Sequence, residues 1–361
     1  MTREELVALR KEVDRIDDEL VRLIAKRADT TAEIGLVKKK DKLKVRDVER
    51  EKQVLDRVGD LAGSLGLDPD QTRELFRQII SESVRTQRTA RPKDLDGKSV
   101  LVVGGSGRMG RWTCRFFSSR GATVRVFDPR GELDGYENIG SLPEHAKRSD
   151  FVVIAGALGV APEHLRSVID CGPDGLVFDV CSIKSHIAPL LREANMKGIR
   201  IASIHPMFGP SAPSPKGRNV LICDFGSEDA NKEIYELFSS WGARTLIVEL
   251  DEHDRLMAYV LGLAHLTSLL FAGAARKSGE KIAGLREVQG PTFEKLAAVS
   301  KEVASESRRV YHDIQLLNPN SKQMIAAAED ALRELKSAAL DPDPKRFSKI
   351  VDADKEFMEA E

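Results

Sequence analysis

The chain has 361 residues, of which 31% are charged and 41% hydrophobic, and its formal net charge is -1. This length and composition predict two or three folded domains, and the near-neutral net charge gives no indication of nucleic-acid binding. The charged N-terminus lacks the apolar core of a signal peptide, and the four cysteines form no CxxC pair and no metal-ligand spacing. We therefore expect a cytoplasmic protein with reduced thiols and no metal.

The first 90 residues carry helical patterns throughout. Apolar residues at steps of three and four run from Leu6 to Leu23, which is typical of the seam of a long packed helix. A polar break at residues 39–44 separates it from a second helix, predicted at about Val45–Val58. Asp68-Pro69 indicates the N-cap and first turn of a third helix, about Pro69–Arg88. Three such helices enclose little core alone, so we expect a dimer.

A charge interrupts the apolar seam. Arg27 occupies the next seam position after Leu23, where burial of a cation is costly unless it meets an anion. Lys38 lies on the same face and roughly 16 Å further along the axis, so the two side chains could hold a small dianion. Arg10 is about 26 Å from Arg27 by the same rise and could serve the site of a partner chain. Solvated charge on an amphipathic helix is the alternative.

After a linker at residues 89–94, strands alternate with helices. Seven β-rich apolar runs predict a mostly parallel sheet with covering helices. They are Ser99–Val103, Thr123–Phe127, Phe151–Ile154, Leu176–Val180, Ile201–Ile204, Val220–Cys223 and Thr245–Val248. Only helical patterns follow from about Asp251. We expect a helical domain at 1–92, an α/β domain of the Rossmann type at 93–250, and an all-helical domain at 251–361.

The first strand runs into a glycine-rich turn, GGSGRMG, that matches G-x-G-x-x-G. The motif follows a strand, opens a helix and precedes a strand ending in Asp128, which is the context it requires. The helix N-terminus would bind a pyrophosphate, and Asp128 would accept from ribose hydroxyls and repel a 2′-phosphate. Arg130 nearby leaves the preference for NAD over NADP open, and a turn without cofactor is the alternative. The predicted NAD-binding residues are Gly105, Gly107, Arg108, Met109, Gly110 and Asp128.

A histidine follows another predicted strand. His205 comes directly after Ile201–Ile204, and the carboxyl ends of parallel strands form the crevice where such sheets bind ligands. The pKa range of histidine suits removal of a proton from an alcohol during hydride transfer. Ser182 and Lys184 would place a hydroxyl and an amine in the same crevice. A structural histidine capped by a turn is the alternative.

One apolar stretch, Met257–Ala275, just reaches the length of a membrane span with its 19 residues. It contains His265, Thr267, Ser268 and two glycines, and it is alone in a charged chain. We expect a buried core helix or a helix at a dimer interface, and no membrane partner.

From about residue 98 onward the chain resembles the prephenate dehydrogenase family. The matching motifs, in the family's order, are VLVVGGSGRMG, DVCSIK, IHPMFGP and EHDRLMAYVLGLAHL. The resemblance implies oxidation of the C4 alcohol of prephenate, with hydride transfer to NAD and loss of the ring carboxylate as CO2. It implies that His205 takes the hydroxyl proton and that Ser182 orients His205 and the nicotinamide. It also implies that Lys184 supports the site electrostatically and that His265 holds the ring side of the substrate.

Two features depart from that family. Where relatives carry arginines that bind the substrate carboxylates, this chain has Glu294 and Glu302. The strand before Ala155-Gly156 ends without the proline that relatives commonly have. The substrate could therefore be prephenate or its amino analogue, arogenate, and the candidates to replace the arginines are Lys301, Arg308 and Arg309.

Residues 3–90 resemble the all-helical chorismate mutases, through LVALRKEVDRIDDELVRLIAKR, GLVKKKDKLKVRDVERE and IISESVRTQ. The resemblance implies that three cations bind the carboxylates and ether oxygen of chorismate, namely Arg27, Lys38 and Arg50. Arg10 would reach in from the other subunit, and Asp47 and Glu51 would bind the hydroxyl or orient the cations. Ser83 and Gln87 would complete the pocket, with Gln87 and Lys38 donating to the ether oxygen.

Together the two resemblances imply a bifunctional homodimer of tyrosine biosynthesis that converts chorismate to 4-hydroxyphenylpyruvate. One alternative keeps a prephenate or arogenate dehydrogenase and makes the helical domain a regulatory or dimerising module. Another is a cofactor-sensing interaction protein with a coiled-coil arm, which Arg27 on the seam and His205 after a strand argue against.

Overall fold

The computed structural model describes residues 3–40, 43–89, 94–305 and 307–360. It divides into two compact units, residues 1–96 and 97–361. The helical region that follows residue 250 belongs to the second unit together with the sheet.

The first unit is built of three helices, α1 (Arg3–Lys40), α2 (Val48–Ser64) and α3 (Pro69–Thr89). The bounds predicted for the second helix were wrong at both ends. It begins at Val48 because Asp47 has an extended backbone and its side chain caps the helix by accepting from the backbone N–H of Arg50 at 3.0 Å. It continues to Ser64, and the chain turns at Gly66, whose φ of 77° suits glycine.

Helix α3 packs against both α1 and α2. Its start is as predicted, since the Asp68 side chain accepts from the N–H groups of Asp70 and Gln71 at 2.8 and 3.0 Å. The apolar seam of α1 is exposed among the described residues of the first unit. Val13 and Leu20 on that seam are 55% and 51% exposed, which is typical of a surface that packs against another element.

The second unit contains an eight-stranded sheet in the order β3-β2-β1-β4-β5-β6-β7-β8. Neighbouring strands pair in parallel except β6 and β7, which are antiparallel. All seven predicted strands are present, and the two-residue β3 is too short to leave a pattern in the sequence. The strands are β1 (Ser99–Val103), β2 (Thr123–Phe127), β3 (Glu137–Asn138), β4 (Phe151–Ile154), β5 (Leu176–Asp179), β6 (Ile201–Pro206), β7 (Asn219–Asp224) and β8 (Arg244–Glu249).

Five helices cover this sheet, and the central strands β1, β4 and β5 are almost completely buried between them, as expected for a doubly covered parallel sheet. The helices are α4 (Arg108–Ser119), α5 (Pro143–Arg148), α6 (Ala161–Asp170), α7 (Ala188–Met196) and α8 (Glu228–Ser240). A 3₁₀ turn at Leu158–Val160 leads from β4 into α6.

The described residues after β8 are helical, as predicted. They form α9 (Leu250–Met257), a π-helical segment (Ala258–Leu263), α10 (Ala264–Lys277), α11 (Ile282–Glu287), α12 (Pro291–Ser305), α13 (Arg308–Leu317), α14 (Ser321–Ala339) and α15 (Lys345–Glu359). The continuous helix Leu250–Lys277 contains an 18-residue window with a mean hydropathy of 1.7, and it is long and apolar enough to cross a membrane by length and composition alone. No residue of α10 is buried within the single chain. The expectation of a buried core helix was therefore wrong for α10, and that of an interface helix remains.

Candidate active sites

The glycine-rich turn packs so tightly that side chains cannot replace its glycines. A Cβ on Gly104 would overlap the backbone of Gly156, and Gly104 has a φ of 86°. A Cβ on Gly110 would overlap the carbonyl oxygen of Gly104, and one on Gly105 would lie 2.6 Å from Val126 Cγ1. The turn therefore brings its own backbone against β2 and the end of β4, as a dinucleotide site requires.

Helix α4 begins directly after Gly107, which occupies the N-cap position with an extended backbone. Arg108 and Met109 form its first turn, so the free N–H groups of that turn face the crevice edge of β1. These groups and the positive end of the helix dipole suit a pyrophosphate. The residues present at the turn thus fit NAD.

Asp128 follows β2 directly, at the second part of the cofactor site. Its Oδ2 accepts from the N–H and the hydroxyl of Ser106 and from Nη2 of Arg130, the last at 3.2 Å. Burial raises the pKa of Asp128, but the hydrogen bonds from Arg130 and Ser106 outweigh it and lower the pKa to about 2. The carboxylate is therefore ionised and already held in place for ribose hydroxyls.

His164 on α6 is a residue of this crevice that sequence reasoning missed. A Cβ on Gly156 would lie 2.6 Å from His164 Nδ1, so the lack of a side chain at Gly156 makes room for this ring. His164 Nδ1 is buried without a hydrogen-bond partner among the described residues. Burial lowers the pKa of His164, and the charge of Asp128 acts in the opposite direction.

His205 lies inside β6 and not after its end, where the sequence pattern places it. Parallel pairing with β5 stops at Ser203, and Ile204–Pro206 then pair antiparallel with β7. The ring is 5% exposed. Burial, together with the positive charges that His253 and Lys184 can carry, holds the pKa of His205 well below its usual range, so the ring is neutral near pH 7.

A chain of hydrogen bonds leads from His205 into the helical region. His205 Nδ1 lies 3.0 Å from His253 Nε2, and His253 Nδ1 lies 2.7 Å from Asp254 Oδ1. Both partners come from α9 and are buried. Sequence reasoning missed them, although EHDRLMAYVLGLAHL contains both.

The Asp254 carboxylate accepts several hydrogen bonds from the turn after β5. It accepts from the backbone N–H groups of Lys184 and Ser185, at 2.9 and 2.7 Å, and from the Ser185 hydroxyl. Burial raises the pKa of Asp254, but hydrogen bonds from His253 and Ser185 lower it to about 2. The Asp254 backbone carbonyl also accepts from Asn318 at 2.7 Å. The carboxylate therefore joins the turn after β5 to α9 as a fixed anion.

Lys184 and Ser182 occupy the turn after β5. Lys184 is fully buried, and its Nζ donates to Asp179 Oδ1 at 2.6 Å and to the carbonyl of Ile204 at 2.8 Å. Its ammonium lies next to β6, where its charge disfavours protonation of His205. Ser182 is half-buried, and among the described residues no hydrogen bond joins it to His205. The bond that orients His205 comes from His253, not from Ser182 as expected.

His265 lies on α10 and packs against Tyr311 of α13, with ring centroids 4.1 Å apart. Burial lowers the pKa of His265. Helix α13 also carries Ile314, which lies in the same core cluster as Leu158 beneath the turn after β4. This packing brings α13 to the crevice side of the sheet.

The expected carboxylate clamp has one candidate at the crevice. Arg309 is the second residue of α13, and its Nη2 lies 3.8 Å from the position of a Cβ on Gly159, in the turn after β4. Its Nε is 3.6 Å from Asp313 Oδ2. Exposed residues on α12 hold the remaining positions, namely Glu294, Lys301 and Glu302.

In the first unit, Arg27 of α1 donates to the hydroxyl of Ser83 on α3. Burial lowers the pKa of Arg27, and Ser83 is itself buried. Lys38 donates to the carbonyl of Val45 at 2.8 Å, close to the start of α2. The seam cation therefore meets a hydroxyl of α3, while the side chain of Gln87 lies outside the described residues.

A groove of roughly 560 Å³ lies between α2 and α3. Glu51 lines it and is held by Arg46, with Nε to Oε1 at 3.1 Å. Arg50 donates to Gln53 at 3.2 Å, and Arg10 is exposed on α1. The groove wall is both charged and apolar and consists of Arg46, Glu51, Leu55, Arg77, Ile80, Ser81 and Val84.

Comparison with known proteins matches each unit to a family. Residues 9–88 match the family model of type II chorismate mutase, and residues 249–352 match that of the prephenate dehydrogenase dimerization domain. The T-protein of Enterobacter agglomerans is 26% identical over 89% of this chain and 84% of its own length. That of Haemophilus influenzae is 24% identical over 86% and 81%. The chain belongs to the bifunctional chorismate mutase and prephenate dehydrogenase family.

The fold of the second unit is also that of a solved relative. Prephenate dehydrogenase from A. aeolicus, in complex with hydroxyphenyl propionate and NAD+, matches with a TM-score of 0.54 and 18% identity, over 73% of this chain and 98% of that one. The family's two activities, an isomerase and an NAD-dependent oxidoreductase of tyrosine biosynthesis, therefore correspond to the two units described above.

Proposed function

We propose that His205 is the base of the dehydrogenase reaction and that the substrate is prephenate. The proton of the ring hydroxyl passes to His205 Nε2 while the hydride on the same carbon leaves for the cofactor. The electron pair of the ring–carboxylate bond then makes the ring aromatic as CO2 departs, and His205 returns the proton to the phenol oxygen. The observation that carries this proposal is a buried, neutral imidazole within β6.

NAD would be held by the turn at 104–110 and by Asp128, and it supplies the hydride acceptor. Gly107 and the first turn of α4, with Arg108 and Met109, face the pyrophosphate. Asp128 accepts the ribose hydroxyls in place of its present donors, and its ionised carboxylate disfavours a 2′-phosphate.

Substrate contacts in this site come from α10 and α13. We assign His265 to the ring side of the substrate and Arg309 to a carboxylate, because Arg309 reaches the turn after β4. Lys184 keeps its charge next to His205 from within the sheet, and Ser182 stands at the edge of the crevice near the nicotinamide. Arogenate carries the same ring, so a preference for it would lie in the contacts of the side chain and not in His205.

The first unit, whose boundary we place near residue 92, would bind chorismate among its three helices. Arg27, Lys38 and Arg50 would supply the cations, and Ser83, Asp47 and Gln87 would complete the pocket. Glu51, Ile80 and Val84 line the groove between α2 and α3 and would supply further polar and apolar contacts. A pericyclic rearrangement needs only a compact substrate and charge placed at the breaking ether bond. A groove with cations and no nucleophile fits that need.

The active form would be a homodimer in the cytoplasm. The exposed apolar stripe of α1 and the exposed α10 both need a cover, and residues 249–352 match a dimerization domain. A second copy would also bring Arg10 to the groove. All four cysteines are free thiols, as a reducing compartment favours.

The experiment is NADH formation with prephenate and then with chorismate as the only substrate. Signal with both is the expected result. Signal with prephenate alone would mean that the first unit is not a working mutase. Silence with both, followed by signal with arogenate, would overturn the substrate assignment and leave the hydride chemistry in place.

A further inference from the structure

We propose that His253 is a positioning residue for hydride transfer, which holds His205 in the tautomer whose Nε2 is free to take the substrate proton, and that Asp254 fixes His253 in turn. This inference rests on the proposed role of His205 as the base. It concerns two residues on α9 that lie 48 and 49 positions away from His205 along the chain.

The direction of each hydrogen bond follows from the donors around Asp254. Its carboxylate is ionised and can only accept, so His253 Nδ1 must carry the proton of the bond between them. In neutral His253 the other nitrogen, Nε2, then has a lone pair and accepts. The proton in the bond between the two rings therefore belongs to His205 Nδ1. His205 Nε2 is left unprotonated, which is the form a base needs.

The same chain stabilises His205 after it has taken the proton. Imidazolium Nδ1–H donates more strongly than the neutral ring, and its acceptor is a histidine backed by an anion. The charged groups that face the two rings are Lys184 and Asp179 from β5 and the turn after it, and Asp254 from α9. Lys184 opposes the cation and Asp254 favours it, so His253 is the group through which the carboxylate reaches His205.

Asp254 is anchored well enough to perform this task. Two backbone N–H groups and the Ser185 hydroxyl hold its oxygens, and Asn318 holds its backbone carbonyl. His253 is completely buried, so water does not compete for either ring nitrogen. A carboxylate that packs α9 against the sheet thus also sets the proton position on the base.

The test uses the full chain with His253 changed to leucine or to glutamine. His253→Leu removes the acceptor, whereas the Gln side chain can place its amide oxygen near the position of Nε2 and accept from His205 Nδ1. We expect His253→Leu to lower the dehydrogenase kcat about a hundredfold, with KM for prephenate within a few-fold. His253→Gln should recover at least about tenfold of that loss. NAD+ affinity and mutase activity should stay unchanged in both.

A pH profile separates positioning from packing. If neutral His253 accepts from His205 Nδ1, the acid limb of kcat/KM should move in His253→Leu and return towards its wild-type position in His253→Gln, which restores an acceptor. Equal losses in the leucine and glutamine variants, accompanied by weaker NAD+ binding, would overturn the proposal in favour of a packing role. Full activity of His253→Leu would overturn it outright. His205→Asn serves as reference, because activity in that variant would refute the base and not the relay.

Discussion

The proposed catalytic residues are more deeply buried in the second unit than in the first, and the two reactions differ in what they require. In the second unit the proposed base is inside a sheet, is neutral through burial, and is joined to a fixed carboxylate by hydrogen bonds through His253. In the first unit Arg50 and Arg10 are exposed, and so are Val13 and Leu20 on the apolar stripe of α1. Proton transfer demands a tuned pKa, whereas a pericyclic step demands only placed charge. The proposed dehydrogenase site is therefore formed by residues of one chain, whereas the proposed mutase site would take Arg10 from a second copy.

Among the variants, His205→Asn should produce the largest difference between the activities of the two units. We expect the dehydrogenase kcat to fall about a thousandfold, because no other described group is placed to take the proton within β6. Conversion of chorismate to prephenate, followed by the decrease in chorismate absorbance, should remain at the wild-type rate. Equal losses of both activities would indicate misfolding, and an unchanged dehydrogenase rate would refute the base.

Mixed dimers test whether the first unit needs a second copy. Arg27→Ala and Arg10→Ala should each lower mutase activity about a hundredfold in pure form, because each removes a cation from the site. Unfolding and refolding the two variants together should restore about a quarter of the wild-type activity, since half of the dimers would carry one intact site.

The dehydrogenase activity with prephenate is the internal control for that mixture. It should be the same in both pure variants and in the mixture. A mixture with no more mutase activity than its parents would show that Arg10 and Arg27 act in the same copy or not at all.

Much of this contrast could be predicted from the sequence, and its limits have physical causes. The strands, the glycine turn and the seam cation all leave local patterns, so their places can be predicted. The bond between His205 and His253 joins residues far apart in the chain, and no periodicity encodes such a pair. The family resemblance implied the orienting role for Ser182, two residues before Lys184, and gave none to His253. Likewise, nothing local indicates that Glu51 is held by Arg46 or that Gly156 accommodates His164.

Arg309→Ala sharpens the substrate assignment in the second unit. We expect KM for prephenate to rise about tenfold or more with a small change in kcat, because an ion pair that is equally strong in the ground state and the transition state contributes mainly to binding. Arg308→Ala is the matched control, since it removes the same charge from the adjacent position of α13. Equal effects of the two substitutions on KM, measured by NADH formation, would show that Arg309 does not bind the substrate carboxylate.

The smallest effect concerns stability and pH. All seven histidines lie in the second unit, and so do both tryptophans, so tryptophan fluorescence reports the unfolding of that unit alone. Burial lowers the pKa of His205 and of His253, so below the unfolded value of about 6.5 the folded state binds fewer protons than the unfolded one. The stabilisation that depends on the neutral rings is therefore fully present above that pH. Below it the free energy of unfolding decreases, by at most about 1.4 kcal/mol per pH unit for each ring.

The fluorescence-detected Tm should accordingly fall by a few degrees between about pH 7 and pH 5.5. The first unit has no histidine, so any loss of helical circular dichroism that does not coincide with the change in fluorescence should not share this decline. His205→Asn should make the slope shallower by removing one titrating ring, while His312→Gln, at an exposed position, should leave it unchanged. If the slope of Tm against pH is the same in His205→Asn as in the wild type, the buried imidazole is not neutral in the folded state. The proposed proton positions in the hydrogen bond to His253 would then be wrong as well.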